Sequence, residues 1–258
     1  SFESPMSVLA WIVLASFVGG AISVCAAALF GMAVNLQRIP MLISYSVGAL
    51  LGAALLGVLP QAIEEVGSVE LATSLLLAGI LGFFLLEKMV LWRHHHHGNV
   101  QPCPGDVSHT HAGGTLILLG DAIHNFVDGV LIAAAFMTDT HLGIVTAIAV
   151  AAHEIPQEVG DFAILLQSGF SRARALIYNV LASLTTVLGG VLAYFSLSSA
   201  QVAVPYVLAI AASSFIYIAV ADLIPGLHKR LEPRATFEQV MLIGGGVLVI
   251  YFAHATLH

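Results

Sequence analysis

Eight long apolar segments are the feature that most constrains what this chain can fold into. Each is close to the ~20 residues that a helix needs to cross a hydrocarbon core of about 30 Å. Charged residues make up 9% of the 258 residues, against roughly 25% in soluble domains, so a water-soluble fold could not cover the apolar surface. We therefore predict an all-α integral membrane protein with a single transmembrane domain over residues 1–258. The predicted spans one to eight are Met6–Leu29, Met41–Ile63, Leu71–Trp92, Gly114–Met137, Leu142–Gln167, Ala173–Phe195, Val202–Leu223 and Phe237–Leu257.

Basic residues lie beside alternate connections between these spans, and acidic residues lie in the others. By the positive-inside rule, the connections that follow odd-numbered spans are cytoplasmic and both termini lie on the outer side. We expect a bacterial inner membrane, with an organelle membrane as the alternative. The basic residues are Arg38, Lys88, Arg93, Arg172, Arg174, Lys229, Arg230 and Arg234. The acidic residues of the outer connections are Glu64, Glu65, Glu70 and Asp139.

The longest connection is a histidine-rich segment at 93–113, between spans three and four. It contains Pro102, Pro104 and Gly105 and is predicted to be a flexible cytoplasmic loop. Three interpretations stay open: a loop that collects metal ions, a merely solvated loop, and a run of four histidines that was introduced by cloning. The histidines of the segment are His94, His95, His96, His97, His109 and His111.

Polar side chains interrupt spans four and five along one face of each predicted helix. Their spacings, mostly three, four, seven or eight residues, put them on a single stripe. All nine are candidate metal ligands, for the reason given next. Span four carries Asp121, His124, Asn125 and Asp128, and span five carries His153, Glu154, Gln157, Glu158 and Asp161.

The five carboxylates in these two spans need a partner. A carboxylate at the centre of a membrane helix costs roughly 2.5–3.5 kcal/mol, so five unpaired ones would cost ~10 kcal/mol or more, comparable to the stability of a domain. Neither span contains Lys or Arg. Protons, water and metal cations remain, and the two histidines favour a metal, because imidazole with carboxylate suits zinc and other first-row divalent ions.

Proline and glycine add to this prediction. Pro156 should kink span five and expose the carbonyl of Ala152 to the site. Gly129 and Gly160 should let neighbouring helices approach closely. Asp222, in span seven, stays open between a structural and a functional role.

The two polar motifs resemble those of the ZIP family of zinc and iron transporters. The residues are His124-Asn125-Phe126-Val127-Asp128-Gly129 and His153-Glu154-Ile155-Pro156-Gln157-Glu158-Val159-Gly160-Asp161. The second is similar to the signature His-Glu-x-Pro-His-Glu-x-Gly-Asp of the histidine-rich subfamily, and the likeness extends to the eight spans and the histidine-rich connection.

The resemblance implies a fold and a function. The fold would be a 3+2+3 arrangement of helices with inverted repeats, assembled as a homodimer, in which spans one, four, five and six move like an elevator against the rest. The function would be transport of Zn²⁺ toward the cytoplasm by alternating access, with Cd²⁺, Fe²⁺ or Mn²⁺ as other substrates. The resemblance also implies a two-metal centre, whose ligands would be His124, Asn125, Asp128, His153, Glu154, Gln157 and, more loosely, Asn179 in span six.

One position departs from the subfamily signature, because Gln157 stands where a histidine is usual. An amide oxygen is a weaker zinc ligand than imidazole, so one site would be weaker or select harder ions. We expect no enzymatic activity and no nucleic-acid partner. The alternatives are an intramembrane zinc protease, since His153-Glu154-Ile155-Pro156-Gln157 is one residue from His-Glu-x-x-His, a metal–proton exporter, and a metal sensor without transport.

Overall fold

Eight long helices form the part of the chain that the structure, a computed structural model, describes: residues 7–33, 39–97, 108–167, 169–228 and 232–257. They confirm the all-α prediction and the eight predicted spans. Two of them, α2 and α7, contain a central π-helical segment. The helices are α1 Val8–Ala33, α2 Ile39–Gly52 continued by Ala53–Val58 and Leu59–Val66, α3 Val69–His97, α4 Ser108–Thr138, α5 Thr140–Gln167, α6 Arg172–Ser198, α7 Val204–Tyr217 continued by Ile218–Leu223 and Ile224–Leu227, and α8 Pro233–Leu257.

Six of these helices are long and apolar enough to cross a bilayer on length and composition alone. The other two are α4 and α5, which carry the polar stripes predicted from the sequence. Their carboxylates lower their mean hydropathy, so their position in the bilayer depends on their neighbours. The protein is a multi-pass membrane protein with six apolar helices and two polar ones.

The helices pack as two groups. One group consists of α1, α4, α5 and α6, with extensive contacts of α4 on α6 and of α1 on α5 and α6. The other consists of α2, α3, α7 and α8, with α2 packed on α8 and α7, and α3 packed on α7. The groups meet mainly where α5 lies against α2 and α4 lies against α7.

The π-helical segments of α2 and α7 occupy matching positions. Each is followed after one residue by a proline, Pro60 in α2 and Pro225 in α7. Proline lacks an N–H and its ring clashes with the carbonyl four residues earlier, and those carbonyls, of Leu56 and Ala221, lie inside the wider π segments. The same local irregularity in the second and the seventh helix agrees with the inverted repeat that the resemblance implies.

Gly129 allows α4 and α6 to touch through their backbones. A Cβ on Gly129 would lie 1.9 Å from the carbonyl oxygen of Thr186, so only glycine fits at this distance. The prediction of close packing is confirmed for Gly129 and wrong for Gly160, where a Cβ would meet no atom of the described residues within 4 Å. The sequence pattern could not tell which face of α5 lies against a neighbour.

The ends of α3 and α4 extend into the segment predicted as a loop. The backbone is helical to His97 and again from Ser108, because histidine does not stop a helix as the glycine and prolines between them do. Several predicted features lie outside the described residues: Arg38, residues 98–107, Lys229, Arg230, and the side chains of Arg93, His94, His95, His96, His97, His109, His111 and Asp222.

Candidate metal centre

Four side chains from α4 and α5 converge near the middle of these helices. Each offers one nitrogen or carboxylate oxygen, and the four atoms lie within 4.8 Å of one another. Three of the side chains are buried and that of His124 is 23% exposed. The four residues, called here the ligand cluster, are His124, Asp128, His153 and Glu154.

The spacing within the ligand cluster matches the coordination of a small divalent ion. The two Nε2 atoms of His124 and His153 are 3.1 Å apart. Asp128 Oδ2 lies 3.0 Å from His153 Nε2 and 3.7 Å from His124 Nε2, and Glu154 Oε1 lies 3.7 Å from both. A tetrahedral Zn²⁺ with bonds of about 2.0–2.1 Å would separate its ligand atoms by roughly 3.4 Å. The cluster therefore has nearly the size of a zinc coordination shell.

The ring of His153 is held in the tautomer that a metal ligand needs. Its Nδ1 lies 3.2 Å from the carbonyl oxygen of Ala149, one turn earlier in α5. Because a carbonyl accepts hydrogen bonds, Nδ1 carries a proton, and the neutral ring then has its lone pair on Nε2, which faces the cluster. The same bond fixes the plane of the ring.

The carboxylates of the cluster are removed from water without compensating donors. Asp128 is 0% and Glu154 3% exposed, and within the described part of the chain neither oxygen of Glu154 has a hydrogen-bond partner. A buried carboxylate is unfavourable unless it is paired or coordinates a metal. Since α4 and α5 contain no Lys or Arg, a cation from outside the chain is the partner that this chemistry fits.

Three further predicted residues form a hydrogen-bonded group beside the cluster. Asp121 Oδ1 accepts from Asn125 Nδ2 at 3.0 Å and from Gln157 Nε2 at 3.1 Å. The carboxylate fixes both amide orientations, because an acceptor must face an amide N–H₂. Thr186 on α6 donates to Asn125 Oδ1 at 2.8 Å. Asn125 and Gln157 therefore each make at least one hydrogen bond to a neighbouring side chain through the amide group.

The remaining predicted residues lie further along α5 and on α6. Glu158 is fully buried, and neither of its carboxylate oxygens has a hydrogen-bond partner among the described residues. Asn179 is also fully buried, and its Nδ2 donates to the backbone oxygen of Glu158 at 3.1 Å. Asp161 is half-buried. These three are outside the ligand cluster.

The residues on the two sides of the ligand cluster, along the length of α4 and α5, differ in polarity. Toward the N-terminal end of α4 and the C-terminal end of α5 lie Asp121, Gln157 and Asp161. Toward the other end of α4, residues 131–136 are all apolar and each is at most 3% exposed. A hydrated ion could approach from the first side, whereas the second side is closed by packed side chains.

Two hydroxyl residues that support this region were not predicted. Thr186 orients Asn125, as described above, and Ser46 on α2 donates to the carbonyl of Ala152. That carbonyl was predicted to face the site, and it faces α2 instead. A hydroxyl in an apolar segment gives no signal of its partner, so neither contact could be read from spacing.

Comparison with known proteins gives a consistent picture. A family model described as "ZIP Zinc transporter" matches residues 94–254. The zinc transporter ZIP13 of Pongo abelii is 34% identical over 227 residues, which cover 81% of this chain and 65% of that protein. The zinc transporter ZIP4 of Homo sapiens is 37% identical over 139 residues, covering 52% of this chain and 21% of that protein.

Another relative is similar over about the same number of residues. The zinc transporter zipt-7.2 of Caenorhabditis elegans is 39% identical over 140 residues, covering 53% of this chain and 30% of that protein. The chain therefore spans less than two thirds of the length of these three relatives. The family match nevertheless covers more than half of the chain and both helices that carry the ligand cluster. The chain belongs to the ZIP zinc transporter family.

Proposed function

We propose that this protein carries Zn²⁺ across a membrane toward the cytoplasm, binding it at the ligand cluster. The observation that carries the proposal is the convergence of two imidazole nitrogens and two carboxylate oxygens within 4.8 Å, near the middle of two helices that contain no Lys or Arg. Buried ionisable residues in membrane helices mark ion pathways. The relatives, named as zinc transporters, support the choice of ion.

Alternating access is the mechanism that this packing favours. The ion would exchange its water for His124, Asp128, His153 and Glu154, and a rearrangement would then change which side the cluster opens to. With the orientation that the basic residues predict, the polar side of the cluster is cytoplasmic and the side packed with apolar residues is outer. The conformation described here would therefore be the one that releases the ion inward.

The division of the helices into two groups supports an elevator-like movement. The ligand cluster belongs wholly to α4 and α5, which pack with α1 and α6. We propose that these four helices move together against α2, α3, α7 and α8. We also retain the homodimer that the family resemblance implies, with the second group as the static part.

The donor set suits zinc better than the alternatives. Two imidazoles with two carboxylates fit Zn²⁺, and Cd²⁺, Fe²⁺ and Mn²⁺ would compete to the extent that they accept nitrogen ligands. For the two-metal centre implied by the resemblance, Asp121 Oδ2, Asn179 Oδ1 and the carboxylate of Glu158 are buried acceptors that a second ion could use. Asp161, Asn125 and Gln157 would then orient or share that ion.

The other interpretations are less well supported. In a His-Glu-x-x-His protease the glutamate acts as a base, whereas Glu154 Oε1 lies 3.7 Å from both ring nitrogens, at a ligand position. In that protease motif both histidines lie on one helix, whereas here His124 comes from α4 and His153 from α5. The eight long helices of the described residues also exceed the roughly six spans expected of a metal–proton exporter.

Uptake of radioactive Zn²⁺ into proteoliposomes tests the proposal. The wild-type protein should carry Zn²⁺ into the vesicles, and His153→Ala should abolish uptake. His141→Ala, on the same helix but outside the ligand cluster, is the matched control and should transport normally. A protein that binds Zn²⁺ without any uptake would be a sensor and would contradict transport.

A further inference from the structure

Pro156 leaves a gap in the hydrogen bonding of α5 at the metal centre. Proline has no N–H, so the carbonyl of Ala152, four residues earlier, loses the donor that a regular helix would provide. This carbonyl forms a peptide group with the nitrogen of His153, whose side chain belongs to the ligand cluster. An unsatisfied carbonyl inside a membrane protein is unfavourable, so another donor is needed.

Ser46 on α2 supplies that donor. Its hydroxyl donates to the carbonyl oxygen of Ala152, across the boundary between the two helix groups. The side chain is fully buried, and its Oγ also lies 2.9 Å from the carbonyl oxygen of Leu42, one turn earlier in α2. The backbone that bears His153 is thus tied to a helix that contributes nothing to the ligand cluster.

We infer that Ser46 is a positioning residue of the metal centre: its hydroxyl replaces the N–H that Pro156 lacks and fixes the backbone from which His153 and Glu154 reach the ion. This inference rests on the proposed function, because it concerns Zn²⁺ bound at the ligand cluster. It goes beyond that function because it assigns α2 a role in the metal centre, although α2 provides none of the four residues of the ligand cluster. Because the bond joins the two helix groups, it also stabilises the conformation in which the groups are observed.

Ser44 provides a matched control on the same helix. It is as fully buried as Ser46, and its hydroxyl donates to the carbonyl of Pro40 at 2.7 Å, a local bond within α2. Ser44→Ala and Ser46→Ala remove the same atom from similar surroundings. They differ in that only the second variant loses a bond to α5.

The experiment is a double-mutant cycle between Ser46 and Pro156, read as Zn²⁺ affinity of detergent-solubilised full-length protein. Residues that orient metal ligands typically contribute about tenfold or more to affinity. Ser46→Ala should therefore weaken Zn²⁺ binding roughly tenfold, and Ser44→Ala should leave it unchanged. Pro156→Ala restores the N–H to α5, so adding Ser46→Ala to Pro156→Ala should cause no further loss.

Two results would overturn the inference: wild-type affinity in Ser46→Ala, or an equal loss from Ser46→Ala with and without Pro156→Ala. If Ser46→Ala alone does not fold, recovery of folded protein in the double variant supports the pairing, and failure in both backgrounds contradicts it. The same cycle measured as thermal unfolding without metal tests the Ser46–Pro156 pairing separately. Wild-type protein that takes up no Zn²⁺ would instead contradict the proposed function.

Discussion

His124 and His153 come from different helices, yet their Nε2 atoms lie 3.1 Å apart. Because Nδ1 of His153 points at the carbonyl of Ala149, its Nε2 presents a lone pair toward the other ring. Asp128 Oδ2 lies 3.0 Å from the same nitrogen. Groups gathered this closely need a proton or a metal cation between them, and this relationship underlies the predictions below.

Neutralising Glu154 should have opposite effects on the metal-free and the metal-bound protein. The carboxylate is buried and has no hydrogen-bond donor among the described residues, so Glu154→Gln should raise the melting temperature without metal. Zinc at 100 times its Kd should stabilise the wild type by about 2.7 kcal/mol, and this gain should largely vanish in the variant. Thermal melts with and without Zn²⁺ measure both effects. Equal zinc-induced shifts in the two proteins would exclude Glu154 as a ligand.

Gln157→His should tighten zinc binding. Gln157 Nε2 already donates to Asp121 Oδ1 at 3.1 Å, so an imidazole at this position has a carboxylate that can orient it, the arrangement usual for zinc-bound histidines. We expect Zn²⁺ affinity to rise by roughly tenfold, with less change for Mn²⁺. Competition titration with both ions gives the ratio. Equal Zn²⁺ affinity in the wild type and the variant would count against the role assigned to this position.

Gly129→Ala should destabilise the protein, whereas Gly160→Ala should not. A Cβ on Gly129 would collide with the Thr186 backbone and separate α4 from α6, at a cost of about 1–3 kcal/mol. Gly160 has open space, and alanine there gains up to ~1 kcal/mol of helix propensity. Thermal unfolding in detergent compares the two. Similar melting temperatures for both variants would argue against the close contact of α4 with α6.

The predicted orientation can be checked by labelling cysteines from one side of the membrane. Glu64 and Arg172 are both exposed, at opposite ends of the helices. In a chain whose Cys25 and Cys103 are replaced by serine, Glu64→Cys should react with an impermeant maleimide in intact cells. Arg172→Cys should react after permeabilisation. The reverse pattern would invert the topology and, with it, the proposed direction of release.

The sequence predicted the helices and the two polar stripes on α4 and α5, for a physical reason; the assignment of the stripe residues as metal ligands stays a prediction. Apolar length and the placement of basic residues depend on local composition, and a stripe of carboxylates in a membrane helix needs a cation whatever the packing. The proximity of His124 and His153 therefore agrees with the polar stripe that the sequence predicted on each of the two helices.

Contacts between helices were beyond prediction. A single sequence does not reveal how helices pack. Three findings depend on that packing: the open space beside Gly160, the hydrogen bonds of Asn125 and Gln157 to Asp121, and the bond from Ser46 to Ala152. The π-helical segments before Pro60 and Pro225 were not predicted either, because a proline can be accommodated by a kink or by a wider helical turn. The histidine-rich ends of α3 and α4 were predicted as loop because composition alone does not distinguish a polar helix end from a loop.

X-ray absorption at the zinc edge tests the central claim most directly. The sample is protein loaded with one equivalent of Zn²⁺, with alanine replacing the histidines of the 93–113 segment so that they cannot compete. The account predicts a four-coordinate shell of nitrogen and oxygen at about 2.0–2.1 Å, with outer-shell scattering from two imidazoles, falling to one imidazole in His124→Ala. An unchanged imidazole signal in His124→Ala and in His153→Ala would contradict a zinc site shared between α4 and α5.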